Sequence, residues 1–193
     1  MPNEPLSIVF IMTDSQGANV LGCDAGQALR TPNLDRLASE GLRFANGFTT
    51  CPVCSPARAG IFTGLYPSKA GPFTNNLSLN DNRWHMGHYF RQAEYQTAYV
   101  GKWHLDGHDY FDTGVCPDGW DERYWYDGRC YLAELDDREV ELWRRGLNSV
   151  EALRAHDVRP EFTWAHRVSD RAIRFLENRD DSTPFLLVAS YDE

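Results

Sequence analysis

The sequence predicts an α/β fold with a mostly parallel sheet flanked by helices. Short continuous apolar runs, "SIVFIM" at 7–12 and "PFLLVAS" at 184–190, have the pattern of strands buried on both faces. Between such runs stand two helix-start signals that end in proline, Thr31-Pro32 and Ser55-Pro56. Near the carboxyl end, 162–178 carries one apolar stripe of Val168, Ala172, Phe175 and Leu176 at helical spacing.

The first strand stops at Thr13-Asp14. In "TPNLDRLASEG", Thr31 is the expected N-cap and Pro32 the first helical residue. Leu34, Leu37 and Ala38 share a face, and Gly41 supplies the C-terminal cap. A second strand is expected in "LRFANGFT" (42–49), weakened by Asn46-Gly47. Ser55 as N-cap and Pro56 open a short helix through "ARAGIFTG", and "MGHYFRQAEY" (86–95) reads as a further helix. A strand then runs from about Thr97 in "TAYVGKWHL". Residues 106–133 are aromatic and acidic without a sustained period, and hold too many large rings for a disordered linker. They are expected to form a long ordered excursion, followed by helices near 135–146 and 162–178 and a last buried strand. Neither an internal repeat nor a low-complexity segment interrupts this order.

The chain's 193 residues, 42% of them hydrophobic, suffice for one sizeable core or for part of a larger one. A net charge of -9 without any basic run argues against nucleic acid and anionic membranes as partners, so an anionic substrate would need a local cationic site. The amino terminus lacks a positive leader, and the apolar runs are too short to span a membrane. Five irregularly spaced cysteines then predict reduced thiols and a cytoplasmic location. The sequence ends at Tyr191-Asp192-Glu193, just past a strand expected to be central, which is the pattern of a piece of a longer polypeptide.

Cys51-Pro-Val-Cys54 has C-x-x-C spacing but lacks the further close Cys or His ligands of a zinc site, and Ser-Pro stands where a thioredoxin-like helix would start. Buried apolar cysteines are the plain alternative. Cys54, however, precedes the predicted N-cap, where free backbone N–H groups and the helix dipole favour an anion, and Arg58 lies in the first turn. The local pattern is a nucleophile beside an anion site.

"CSPARAGIFTG" (54–64) resembles the signature of type I sulfatases, Cys-x-Pro-x-Arg followed by small and apolar residues and Thr-Gly. "IVFIMTD", "TPNLDRLASEGLRFANGF", "YVGKWHL" and "PFLLVASYDE" are similar to further segments of that family, in its order and over most of the chain. The resemblance implies the alkaline-phosphatase-like sulfatase fold, with 1–193 as the amino-terminal part of a catalytic domain. It also implies hydrolysis of a small-molecule or carbohydrate sulfate ester, and a formylglycine-generating or sulfatase-maturing enzyme that oxidises Cys54 to formylglycine. Asp14 and the modified Cys54 would bind a divalent cation, calcium or else magnesium. Arg58 would orient the hydrated aldehyde, Lys102 would hold the sulfate oxygens, and His104 would take the proton that triggers sulfate release. Cys51 would serve packing. Independently, Lys102-x-His104 places both side chains on one face at a strand's carboxyl end if the alternation of a strand continues.

The second of the family's two consecutive aspartates is Ser15 here, followed by Gln16, and the family's late metal ligands, leaving-group histidine and second lysine do not occur before Glu193. The 193-residue piece alone is therefore expected to be inactive. Two other readings stand beside the sulfatase one: a phosphonate or phosphate ester hydrolase of the same superfamily, and a truncated non-catalytic relative. In the excursion, Trp120, Tyr124, Trp125 and Tyr126 either stack on sugar rings or anchor the loop on the core.

Overall fold

The computed structural model describes residues 5–23, 29–146 and 149–192. Along the chain run β1 (Ile8–Thr13), α1 (Pro32–Glu40), α2 (Cys54–Thr63), α3 (Pro67–Ala70), α4 (Met86–Gln92), β2 (Gln96–Gly101), β3 (Trp125–Tyr126), α5 (Gly128–Ala133), α6 (Asp137–Arg144), α7 (Val150–Ala155), α8 (Trp164–Asn178) and β4 (Phe185–Tyr191). The four strands form one parallel sheet in the order β1-β4-β2-β3. As expected from its apolar run, β4 is central, with Leu187 paired to Val9 on one side and Ala98 on the other.

Strand alternation builds a core on each face of the sheet. Ala98, Val100, Leu187 and Ala189 face α8, where Trp164, Val168, Ala172 and Phe175 complete the predicted stripe. Tyr99, Leu186 and Val188 face the opposite way, against Phe62 of α2 and the buried rings of Trp103 and Trp120. The result is a helix–sheet–helix sandwich whose strands all end at the same edge.

Three expectations need correction. Residues 42–49 form no strand: they carry a turn-forming Asn46-Gly47, pair with no strand among the described residues, and leave Leu42, Phe44 and Phe48 exposed. The first strand is not buried on both faces. Because β1 is an edge strand, Phe10 and Met12 pack inward while Val9 and Ile11 stay exposed. Likewise α1 has the predicted bounds, and Gly41 donates to the Leu37 carbonyl, but no residue of the helix is buried. Its Thr31 hydroxyl bonds Asp35 at 2.9 Å instead of capping a backbone N–H.

The 106–133 segment is ordered and partly regular, since it contains β3, α5 and a 3-10 turn at Glu122–Tyr124. Its aromatics act as anchors: Trp120 and Tyr126 are each 2% exposed, and Tyr124 packs edge-on against Phe175. None of the described helices is long and apolar enough to cross a membrane.

β2 ends at Gly101, whose φ is +105°. A Cβ there would sit 1.8 Å from the Ser190 carbonyl oxygen, inside the β2–β4 ladder. Gly101→Ala is therefore expected to combine unfavourable backbone conformation with a clash that no side chain can relieve. A loss of more than about 3 kcal/mol of stability in urea unfolding is the expected outcome. An unchanged midpoint would contradict the close approach.

Candidate active site

The carboxyl ends of β1, β2 and β4 bring together residues far apart in sequence. The main chain fixes the frame, because Asp14 N–H donates to the Tyr191 carbonyl (2.9 Å) and Lys102 N–H to the Ser190 carbonyl (3.0 Å), extending the ladder past the strand ends. The Lys102 ammonium lies 3.0 Å from Asp14 Oδ2 and 2.6 Å from Asp192 Oδ1. Two carboxylates thus meet one cation, as expected where parallel strands deliver side chains to a common edge.

Arg58, 3% exposed, rises from α2 into this cluster. Its Nη1 donates to the Lys102 carbonyl (2.5 Å) and the Ser190 hydroxyl (2.9 Å), and its Nη2 to Asp14 Oδ2 (3.2 Å). One planar guanidinium therefore joins α2 to the ends of all three strands. Burial alone would raise the Asp14 carboxyl, but Lys102 and Arg58 overcome it and hold the group down at about 2. Lys102 is shifted the opposite way: burial disfavours its charge, and the two carboxylates more than offset that.

Cys54 is the first residue of α2, with Val53 as the N-cap. The helix thus starts two residues earlier than predicted, and Ser55 is not its cap. The expected free N–H groups are also reduced, because Ser55 N–H donates to Asn75 Oδ1 (3.0 Å) and Pro56 has none. Attraction for an anion here comes chiefly from Lys102 and Arg58. The Cys54 thiol faces Asp14 Oδ1 at 3.6 Å and Lys102 Nζ at 3.9 Å. Cys51 is unpaired, as are the other four cysteines, so the C-x-x-C spacing makes no disulfide.

His104 stands beyond the end of β2 in a left-handed conformation, φ +57°, so strand alternation does not continue to it as predicted. Two backbone N–H groups, those of Trp103 and His104, donate to the carboxylate of Asp112, a fully buried residue. Burial pushes the Asp112 carboxyl up to about 8 against those two donors. The His104 ring bonds Asn76 Oδ1 at 2.9 Å through Nε2. The other ring nitrogen, Nδ1, is buried without a hydrogen-bond partner among the described residues. Burial, then Lys102 and Arg58, lower this imidazole to about 4, leaving it neutral near pH 7.

Among the described residues, no group of three or more His, Cys, Asp or Glu side chains comes together to hold a metal ion. The donor chemistry of Asp14 nevertheless fits a hard cation. Among the described residues its Oδ1 meets only the Ser15 hydroxyl (3.1 Å) and the Cys54 thiol, two donors that a cation would replace.

Sequence reading had named Asp14, Cys54, Arg58, Lys102 and His104. The structure gathers the first four in direct contact and sets His104 within electrostatic range of Asp14, Arg58 and Lys102. It missed Asn75, Asn76, Asp112, Ser190 and Asp192. Asp192 had a signal, since it follows a buried strand as Asp14 does; the others had none.

A parallel sheet flanked by helices, with polar side chains gathered at its carboxyl edge around a Cys-Ser-Pro-Ala-Arg helix start, has the alkaline-phosphatase-like fold of its structural neighbours. More narrowly, the chain belongs to the Sulfatase family, whose model matches residues 7–193. It is 55% identical over 189 residues to the uncharacterized sulfatase YidJ of Escherichia coli K12, covering 97% of this chain and 38% of that one. It is also 34% identical over 183 residues to the N-acetylglucosamine-6-O-sulfatase of Bacteroides thetaiotaomicron, covering 94% of this chain and 29% of that one. A solved structure of a protein in complex with its substrate, D-glucosamine-2-N,6-O-disulfate, superposes with a TM-score of 0.68 at 25% identity, over 97% of this chain and 34% of that one. The chain thus spans well under half the length of these relatives.

Arg58→Met should cost about 3–5 kcal/mol in urea unfolding, because it leaves buried acceptors and the Asp14 carboxylate without their donor. Arg58→Lys should recover only part, since an ammonium cannot make the forked set of contacts. Full recovery by lysine would show that charge alone matters. In the unaltered protein, the depressed Asp14 group contributes stability above its ordinary pKa of 3.8, and that contribution is lost as pH falls through about 2.

Proposed function

We propose that this chain carries the nucleophile and the anion clamp of a sulfuric ester hydrolase. The observation that bears most weight is the placing of Cys54 at the start of α2, with the Lys102 ammonium and the Asp14 carboxylate both against its sulfur. The Cys54 sulfur stands in for a hydroxyl oxygen of hydrated formylglycine. That group, made by a formylglycine-generating or sulfatase-maturing enzyme, would supply a nucleophile that attacks sulfur and afterwards clears itself by re-forming the aldehyde.

The chain's own residues have separate tasks. Lys102 receives the sulfonate oxygens and neutralises charge that grows as the ester bond breaks. Arg58 holds Asp14 and the Lys102 backbone in place, and so orients residue 54. His104, held neutral by burial and the nearby cations, accepts a proton in the release of sulfate. Asp14 would hold a divalent cation, calcium or magnesium, which lowers the pKa of a bound hydroxyl and polarises a sulfate oxygen. The names of the relatives point to sulfated amino sugars as the substrate class.

Two substitutions in the intact enzyme test the nucleophile. Cys54→Ala should remove sulfate release by at least about a thousandfold while leaving the unfolding midpoint nearly unchanged, and Cys51→Ala should retain most activity. Mass spectrometry of the peptide spanning Cys54 should show the thiol exchanged for an aldehyde. Equal losses from both variants, or a persistent thiol in active enzyme, would reject this reading. Faster turnover of an aryl phosphonate than of an aryl sulfate would favour a phosphonate hydrolase instead.

Ser15 offers a test of the cation. Its φ of +58° is a conformation that aspartate adopts readily, so Ser15→Asp adds a carboxylate beside Asp14 with little backbone cost. Calorimetry with calcium and magnesium should show about tenfold tighter binding to the intact variant, because ligand charge is a main determinant of affinity. No gain would mean that the cation site is built from other groups than the pair at positions 14 and 15.

A further inference from the structure

Carboxylates of the 106–133 segment mostly bind the segment to itself. Asp106 accepts from the Thr113 hydroxyl (2.9 Å), Asp109 from Phe111 N–H (3.0 Å), and Asp127 from the N–H groups of Gly114 (2.6 Å) and Cys130 (2.9 Å). Asp112 instead reaches out of the segment. Its Oδ2 takes Trp103 N–H (2.9 Å) and its Oδ1 takes His104 N–H (2.5 Å), just past the end of β2. Both oxygens of a fully buried carboxylate are thus committed to main-chain donors. Among the described residues no cationic side chain meets that carboxylate, and Arg129 donates to the Asp112 backbone carbonyl (3.3 Å). A charge buried without a counter-charge costs stability rather than adding to it. The backbone is costly here too. His104, Asp112 and Asn76, the partner of the His104 ring, have φ of +57°, +65° and +62°, in the left-handed region that non-glycine residues seldom occupy. Such costs gather at working sites, where the surrounding structure imposes them.

We propose that Asp112 is a positioning residue for His104, holding the imidazole where it takes the proton that frees sulfate. The inference rests on the sulfatase reading and extends it to a buried side chain that does not meet the ester. Two bonds to one carboxylate fix the peptide planes of residues 103 and 104, so the chain stops being a strand and His104 turns towards Asn76. The carboxylate is itself held from behind. Asp112 N–H donates to the Asp109 carbonyl (3.0 Å), and Asp127, the N-cap of α5, ties down Gly114. Lys102 and Arg58 are fixed by other partners, Ser190, Asp14 and Asp192. Loss of the Asp112 carboxylate therefore disturbs the histidine and leaves the cationic clamp around residue 54 in place.

Rapid-mixing and steady-state kinetics of the intact enzyme with 4-nitrophenyl sulfate separate the two stages of the reaction. The phenol leaves as the sulfuryl group passes to residue 54, and His104 acts only afterwards. Asp112→Asn keeps the size and the left-handed tolerance of the residue while replacing one acceptor by a donor. It should lower kcat at least about tenfold, leave kcat/KM within about twofold, and give a burst of about one phenol per active site. Its unfolding midpoint should stay close to that of the unaltered enzyme, because a buried charge is removed along with the acceptor. If Asp112→Asn fails to fold, Asp112→Gly should give the same kinetic pattern, since glycine takes this φ freely and admits water to the two N–H groups. An unchanged kcat, or kcat/KM falling in step with kcat, would overturn the proposal. Failure of the underlying reading looks different, since the unaltered enzyme would then release no phenol. Crystal structures of the unaltered and Asp112→Asn enzymes decide the matter without turnover. A His104 that leaves its left-handed conformation and parts from Asn76 supports the proposal, and an unmoved His104 refutes it.

Discussion

The buried guanidinium of Arg58 is the contact on which the site depends. Among the described residues its one charge partner is the Asp14 carboxylate, and its Nη1 donates to the Lys102 carbonyl just past β2 and to the Ser190 hydroxyl on β4. Burying such a cation is favourable only when its hydrogen bonds are made at once. Those acceptors come from residues 14, 102 and 190, so Arg58 can be accommodated only after β1, β2 and β4 are in register. The register in turn needs Gly101, where the chain passes against β4 without a side chain. Sheet pairing and site geometry are therefore one constraint rather than two.

That coupling explains the division of charge around Cys54. Asp14 and Asp192 are brought together by strand topology, and Lys102 between them makes the arrangement tolerable. With two carboxylates and two cations packed so closely, the cluster is near neutral in sum and strongly polar within. In the reaction we propose, an anionic ester would meet an ammonium and a guanidinium already held in place, so little reorganisation would be needed when charge develops. The overall acidity of the chain does not oppose this, because field strength at the site is set by the nearest groups.

What the sequence made legible follows from local rules. Buried strands were readable from continuous apolar runs, and α8 from its stripe. Asp14 and Lys102 were readable because residues just past such strands project at the edge where sites form. The misses have equally local causes. Residues 42–49 carry strand-like composition, but a strand exists only through a partner, and composition does not name one. The exposure of β1 and α1 depends on what lies beside them, which no pattern within eight residues records. Asp112 and Asn76 act on His104 through tertiary approach of loops, and an aspartate or asparagine in a loop is indistinguishable from any turn residue.

The strand order carries a consequence for synthesis. β4, at the carboxyl end of the sequence, lies between β1 and β2, and those two strands make no ladder with each other. While the ribosome works from residue 102 towards residue 190, roughly 5–20 s at ordinary elongation rates, β1 has no ladder partner and β2 has only the two-residue β3. During that interval β1 and β2 each present unpaired edges and apolar side chains, the condition under which nascent chains associate wrongly or recruit chaperones. Insertion of β4 then joins β1 to β2, and the cluster around Cys54 forms with it.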